Sequence, residues 1–261
     1  MDYLLPLKSR LKINILISLL DGEKKLCDIK TTIESSETTI LHIIKEFECL
    51  NLTTKVEGNY RLTSLGLLEA QICKEAKENA EVIEKFQDFW LHHDLTGIPP
   101  QLMSKIGALN NSNIVRAELL ELGIVHKAVL EILMTSQKLS GISPIFHPDY
   151  VPIVEKLLEE DVPVELIFSA GVLNKTLEST NLGMLKKKIG DNTLKIFLNE
   201  NLKLALTVTD KNFSLGLFET NGKYDYTMDL VSSTQDAIAW GEELFQNILK
   251  KSRRIGPETL T

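Results

Sequence analysis

The sequence predicts an α+β multidomain chain: an N-terminal helical unit with a β-hairpin, a long connecting helix, and a C-terminal α/β sheet domain. Three observations carry this. Apolar residues near the N-terminus recur at helical spacing and end in a short alternating stretch around a glycine. The seam from Leu65 to Trp90 then repeats every three or four residues without a turn signal. Beyond Pro99-Pro100 short apolar runs alternate with amphipathic segments, as in a sheet flanked by helices.

Taken in order, Ile13, Leu16, Ile17 and Leu20 make one apolar stripe, and Asp21-Gly22 closes the first helix. A second helix from about Lys25 to Ile33 turns Leu26, Ile29 and Ile33 inward. Glu34-Ser35-Ser36 forms a turn in which a serine hydroxyl can cap the third helix. That third helix buries Ile40, Ile43, Ile44, Phe47 and Leu50, while Thr38, Thr39, His42, Lys45 and Glu46 stay outside. The stretch "TTKVEGNYRLTS" alternates apolar with polar residues, and Gly58-Asn59 is the expected hairpin turn. Three helices and a hairpin in this order describe a winged helix-turn-helix. This unit is assigned to residues 1–75.

Residues 76–100 are expected to hold the linker and dimerisation helix, whose seam is Leu65, Leu68, Ile72, Ala76, Asn79, Ile83, Phe86 and Trp90. Asn79 would be the polar seam position that fixes register. "HHDLTGIPPQL" breaks the helix, because proline cannot continue it. In residues 101–261 the expected elements are strands at Ile114-Val115, "GISPIF", "VPVELIF" and "LKIFL", and an antiparallel pair, "KLALTVTD" and "FSLGLFE". The helices run over 122–134, 151–160, 173–189 and 234–250, and "GKYDYTMDL" is taken as a loop.

The totals exclude several classes. Across 261 residues, 43% hydrophobic and 25% charged content is that of a globular protein. No apolar run approaches the ~20 residues that span a bilayer, and the N-terminus lacks the layout of a secretory signal, so a cytoplasmic location is expected. Three cysteines in no paired spacing read as small buried hydrophobes. No P-loop, GxSxG, HExxH or dinucleotide fingerprint occurs, so the chain is not read as an enzyme, and no cofactor, catalytic residue or metal ligand is assigned. His92-His93-Asp94 is taken as a solvated helix end.

A net charge of -7 gives no global attraction to nucleic acid. Residues 1–64 are neutral, however, with nine lysines and arginines against nine acids. A winged helix places its third helix in the major groove and its hairpin near the backbone. The double-stranded-DNA contacts are therefore assigned to Ser35, Ser36, Thr38, Thr39, His42, Lys45, Lys55 and Arg61. In the C-terminal half, ligands are expected at strand ends, where His147, Tyr150, Thr207, Asp210 and Asp225 fall. Each of these also suits a turn or cap.

The segments "FWLHHDLTGIPPQLMSKIGAL", "GISPIFHPDY", "LALTVTDKNFSLGLF", "GKYDYTMDL" and "AIAWGEELF", in this order, resemble regulators of methanogenic archaea. Those combine an N-terminal winged helix with a C-terminal domain named after methanogenesis regulation. The resemblance implies a DNA-binding transcriptional regulator, dimeric and cytoplasmic; the α/β half is then expected to sense a small molecule or a partner. That half is also faintly similar to phospholipase-D-like domains, which use an H-x-K-x4-D motif. Aligning Asp210 with its acid puts Lys203 in the place of the histidine and Ala205 in that of the lysine, so this chemistry is not expected. The rival readings are an enzyme fused to a winged helix and a protein-interaction module.

Overall fold

The structure, a computed structural model, describes residues 9–117 and 124–259, with side chains for all of these except 124–128. Two compact units divide between Glu81 and Val82.

In the first unit, helices α1 (Arg10–Ser18), α2 (Leu26–Thr32) and α3 (Glu37–Cys49) precede the strands β1 (Thr53–Val56) and β2 (Asn59–Leu62). Helix α3 starts where the Ser36 hydroxyl accepts from the Thr39 amide at 3.1 Å. Ile40, Ile43, Ile44 and Phe47 on its inner face join Leu16, Ile29, Leu52 and Tyr60 in one core. The hairpin turn lies at Glu57-Gly58 (φ 50° and 87°), one residue before the expected Gly58-Asn59. Asn59 instead pairs with Val56, and both turn residues occupy the left-handed region that the tightest hairpin turn demands. Lys24 exchanges two backbone hydrogen bonds with Tyr60, tying the segment before α2 to the hairpin.

Helix α4 (Ser64–Lys85) begins at Thr63, whose hydroxyl accepts from the Gly66 amide at 3.0 Å and donates to the Asn51 carbonyl at 2.6 Å. A side chain is excluded at Gly66, because a Cβ there would stand 1.8 Å from the Leu52 carbonyl oxygen. The expected single helix to Trp90 is two: α4 stops at Lys85, Phe86 leaves helical geometry (ψ 30°), and α5 (Gln87–His92) follows.

The second unit also contains α6 (Pro100–Met103), β3 (Asn113–Arg116), α7 (Ile124–Met134), β4 (Leu139–Ser143), α8 (Tyr150–Glu159), β5 (Val164–Phe168), α9 (Ala170–Glu178), α10 (Leu182–Gly190), β6 (Leu194–Leu198), β7 (Leu204–Thr209), β8 (Phe213–Phe218), β9 (Tyr224–Ser232), α11 (Gln235–Leu249) and β10 (Arg253–Ile255). Its eight-stranded mixed sheet has the order β10-β6-β5-β4-β7-β8-β9-β3. Strands β4, β5 and β6 run parallel, and β7 joins β4 antiparallel.

Several sequence expectations are corrected here. The helix expected over 173–189 is broken between α9 and α10, where the Asn181 side chain accepts from the Met184 amide and starts a new helix. "GKYDYTMDL" is the interior strand β9 rather than a loop, paired to β8 on one side and β3 on the other. "GISPIF" is a strand only as far as Ser143. The start of the helix expected from Leu122 lies outside the described residues. "HHDLTGIPPQL" is packed within the second unit: Ile98 and Leu102 are buried in its core, and the Asp94 amide donates to the Phe218 carbonyl at 2.8 Å.

The sheet separates two cores. On one face α11, α5 and α6 cover Leu206, Val208, Phe213, Leu215, Leu217 and Leu230, with the Trp240 indole donating to the Leu102 carbonyl at 3.0 Å. On the other face α7, α8, α9 and α10 pack on Leu139, Val164, Phe168, Leu194 and Ile196. Among the described residues no helix is long and apolar enough to cross a membrane.

Candidate functional site

Two surfaces merit attention, one in each unit. In the first unit, burying the Ile40-Ile43-Ile44-Phe47 face turns the opposite face of α3 to solvent. Ser36, Thr38, Thr39, His42 and Lys45 are exposed, as are Lys55 on β1 and Arg61 on β2, while Ser35 is half-buried. Not all of these polar groups are equally available. The Ser36 hydroxyl is shared between the Thr39 amide and the Thr39 hydroxyl (2.8 Å), so it serves the helix start. The Lys55 ammonium lies 5.0 Å from the centre of the Tyr60 ring. Glu46 is turned to Lys12 at 2.5 Å. Lys30, beside α3, lies 3.7 Å from Glu37.

The seam of α4 is exposed only in its middle. Leu68 (66%), Ile72 (53%) and Ile83 (55%) face solvent with Ala76, and Asn79 is half-buried. Leu65 packs on the first core, and Phe86 and Trp90 belong to the second. Cys27 and Cys49 are exposed, against expectation; only Cys73 is buried, and burial pushes its thiol up to about 11.

The second surface is a cavity of about 120 Å³ between the sheet and the helices α7 to α10. It arises from strand alternation. In β7 and β8 the large residues Leu206, Val208, Phe213 and Leu215 point to α11, so their neighbours Ala205, Thr207, Ser214 and Gly216 point the other way. These are small, and with Gly141 on β4 they leave unfilled space that Leu158, Leu166, Phe168 and Val172 wall in.

At one end stands a polar cluster. Asp229 on β9 is 5% exposed; the Ser214 hydroxyl donates to its Oδ2 at 2.8 Å, and its Oδ1 has no hydrogen-bond partner. Burial raises its carboxyl to about 7; the Ser214 bond opposes that shift, and Asp225 adds to it. Pairing shifts register between Gly216 and Phe218, and Tyr224 reaches back over Gly216. A Cβ on Gly216 would stand 2.1 Å from the Tyr224 hydroxyl and 2.7 Å from Asp229 Oδ1, so glycine makes room for both. Burial first, and Asp229 second, raise the phenols of Tyr224 and Tyr150.

Of the residues expected at a ligand, His147, Tyr150 and Thr207 line this cavity, with the His147 and Tyr150 rings 5.6 Å apart. Asp210 does not: it accepts from the Gln137 amide at 2.7 Å, 73 residues away in sequence. Asp225 points elsewhere too, to the Thr227 amide and hydroxyl through Oδ1 and to His93 Nε2 at 3.1 Å through Oδ2. His93 is correspondingly buried, not solvated, with Nδ1 2.6 Å from the Phe89 carbonyl. His92 is exposed and Asp94 binds the Thr96 amide, so the three residues do not converge. Ser214 was missed, and Asp229 was read only as part of the supposed loop "GKYDYTMDL". The signal for them was the run of small residues at every second position of "LALTVT" and "FSLGLF".

Comparison with known proteins places these surfaces in context. The description "Methanogenesis regulatory protein FilR1, N-terminal domain" matches residues 6–77, and "Methanogenesis regulatory protein FilR1, middle domain" matches residues 124–251. The chain belongs to the FilR1 family. The resemblance read from its motifs is thereby borne out. A relative, methanogenesis regulatory protein FilR1 of Methanothrix harundinacea (strain 6Ac), is 28% identical over 257 residues. That alignment covers 97% of this chain, which spans 58% of the length of the relative. The exposed α3 face falls within the FilR1 N-terminal match and the cavity within the middle-domain match.

Among solved structures, the chain is similar to TrmBL2, an archaeal chromatin protein described as showing a novel mode of DNA binding. The identity is 12% and the TM-score 0.46, over 93% of this chain and 92% of that one. It is also similar to phosphatidylserine synthase of Haemophilus influenzae Rd KW20, at 15% identity and TM-score 0.42, over 57% and 40% of the two chains. At these scores neither likeness fixes the fold.

Proposed function

We propose that this member of the FilR1 family is a DNA-binding transcriptional regulator, homodimeric and cytoplasmic, whose C-terminal domain senses a small molecule and performs no catalysis. Residues 1–75 act as a winged helix-turn-helix, α4 provides the dimer contact, and residues 101–261 form the effector domain. The observation that carries this reading is the division of α3. One face is sealed into the core, and the other presents Thr38, Thr39, His42 and Lys45 alongside Lys55 and Arg61. Short hydroxyl side chains at the start of a helix suit phosphate and base-edge contacts, and the helix N-terminus favours an anion. With the acidic excess confined to residues beyond 64, this face is spared general repulsion.

Dimerisation is supported by the Leu68-Ile72-Ala76-Ile83 stripe. Large apolar side chains more than half exposed at helical spacing suit a second copy of the same helix, with Asn79 setting register. The test of DNA binding is a gel shift on the gene's own upstream DNA at several salt concentrations. A site-selective complex that weakens steeply with salt is expected, since phosphate contacts release counterions. Absence of any such complex refutes the reading.

A further inference from the structure

The reading of an effector domain leaves its ligand open, and the cavity narrows the choice. Three features bear on it: the space is walled by aliphatic and aromatic side chains, its polar end holds a buried acceptor without a partner, and its described lining carries acids but neither lysine nor arginine. Among the described lining residues the acids are Asp229 and Glu155, and there is neither lysine nor arginine. Native cores rarely leave a buried acceptor unmet, so Asp229 Oδ1 marks the place of a donor. The small residues Gly141, Ala205, Thr207, Ser214 and Gly216 beneath it hold space open, where the opposite sheet face is filled with leucine, valine and phenylalanine.

We propose that this cavity binds a short aliphatic primary amine, with its hydrocarbon chain among Leu158, Leu166, Phe168 and Val172 and its ammonium group on Asp229. An ammonium supplies both the missing donor and the opposite charge. A carboxylate would meet two acids and no lysine or arginine among these residues. An alcohol would satisfy Oδ1 but leave the charge of an ionised Asp229 uncompensated. Size agrees: an apolar cavity of roughly 150 Å³ takes benzene, so about 120 Å³ fits a body of about five carbons. The proposal rests on the effector reading for its biological meaning, but not for its chemistry.

Titration calorimetry of the full chain with pentylamine, pentanol and pentanoate tests it. Pentylamine is expected to bind, and to bind about tenfold more tightly at about pH 8 than at about pH 6. Asp229 ionises across that span while the amine stays protonated. The other titratable groups facing Asp229 are Tyr224 and Asp225 on its own strand and Tyr150 on α8; Glu155 and His147 line the same cavity. Of these, histidine ordinarily titrates in the same span. Asp229→Asn separates the two effects: it is expected to abolish the rise with pH and bring pentylamine down to the affinity of pentanol.

Pentanoate binding as tightly as the amine, an amine affinity that stays flat with pH, an unchanged affinity in Asp229→Asn, or no binding of the amine each overturns the proposal. Should the variant fail to fold, the ranking of pentylamine above pentanol and pentanoate by the unmodified chain at about pH 8, where histidine is ordinarily neutral, still decides. A gel shift without amine keeps the two readings apart. Intact DNA binding with a silent cavity removes only the ligand assignment; amine binding without DNA binding removes only the regulator.

Discussion

Asp229 makes the stability of the second unit depend on pH in a direction opposite to that of most carboxylates. An unfolded chain holds this carboxyl near 3.8, and the fold raises it to about 7. The folded state therefore keeps a proton that the unfolded state releases, and stability falls as pH climbs from about 4 to about 7. Below that window both states are protonated and nothing is lost; above it the loss is complete. Three pKa units correspond to about 4 kcal/mol, an order-of-magnitude figure for a group this buried. Asp229→Asn preserves shape and an acceptor for the Ser214 hydroxyl but cannot ionise. Urea denaturation at about pH 5 and about pH 8, followed by tryptophan fluorescence, reads the second unit alone, because Trp90 and Trp240 both lie within it. The wild type is expected to lose several kcal/mol between the two pH values relative to the variant. Glu69, also raised by burial, titrates in both proteins and cancels in the difference. Parallel stability profiles would refute the reasoning.

Three further predictions concern the first unit and α4. Gly66→Ala drives a methyl group into the Leu52 carbonyl and should cost about 1–3 kcal/mol by far-ultraviolet circular dichroism melting, or more if the backbone cannot yield. The double variant Lys45→Glu/Arg61→Glu should lose DNA binding in the gel shift while keeping its melting temperature, since both side chains are exposed; unchanged binding removes these residues from the interface. Ile72→Glu should turn a dimer into a monomer in sedimentation equilibrium with little change in helix content, because Ile72 is 53% exposed in the single chain.

Much of the first unit was legible because its signals are local. The α3 stripe, the Ser36 cap and the hairpin alternation each span a few residues. The turn slipped by one because a glutamate, Glu57, takes a positive φ that residue preferences assign to glycine or asparagine. In the second unit, what decides the outcome lies far away in sequence. His93 is buried by a partner 132 residues on, and "GKYDYTMDL" is a strand because β8 and β3 flank it. The break at Asn181 was visible as a cap but was outweighed by the apolar periodicity on either side. Of the five residues expected at a ligand, strand-end position found the three on the cavity; Asp210 and Asp225, equally polar, are held by partners distant in sequence, the Gln137 amide and His93.

The alternation in β7 and β8 divides the work of the sheet between its two sides. Leu206, Val208, Phe213 and Leu215 hold the fold together against α11, while Ala205, Thr207, Ser214 and Gly216 shape the void. A lineage can therefore retune what the void admits by exchanging a methyl for an isopropyl at Ala205, and leave the packing behind it untouched. Recognition and folding are written on the same two strands in alternate letters, and each can drift without rewriting the other.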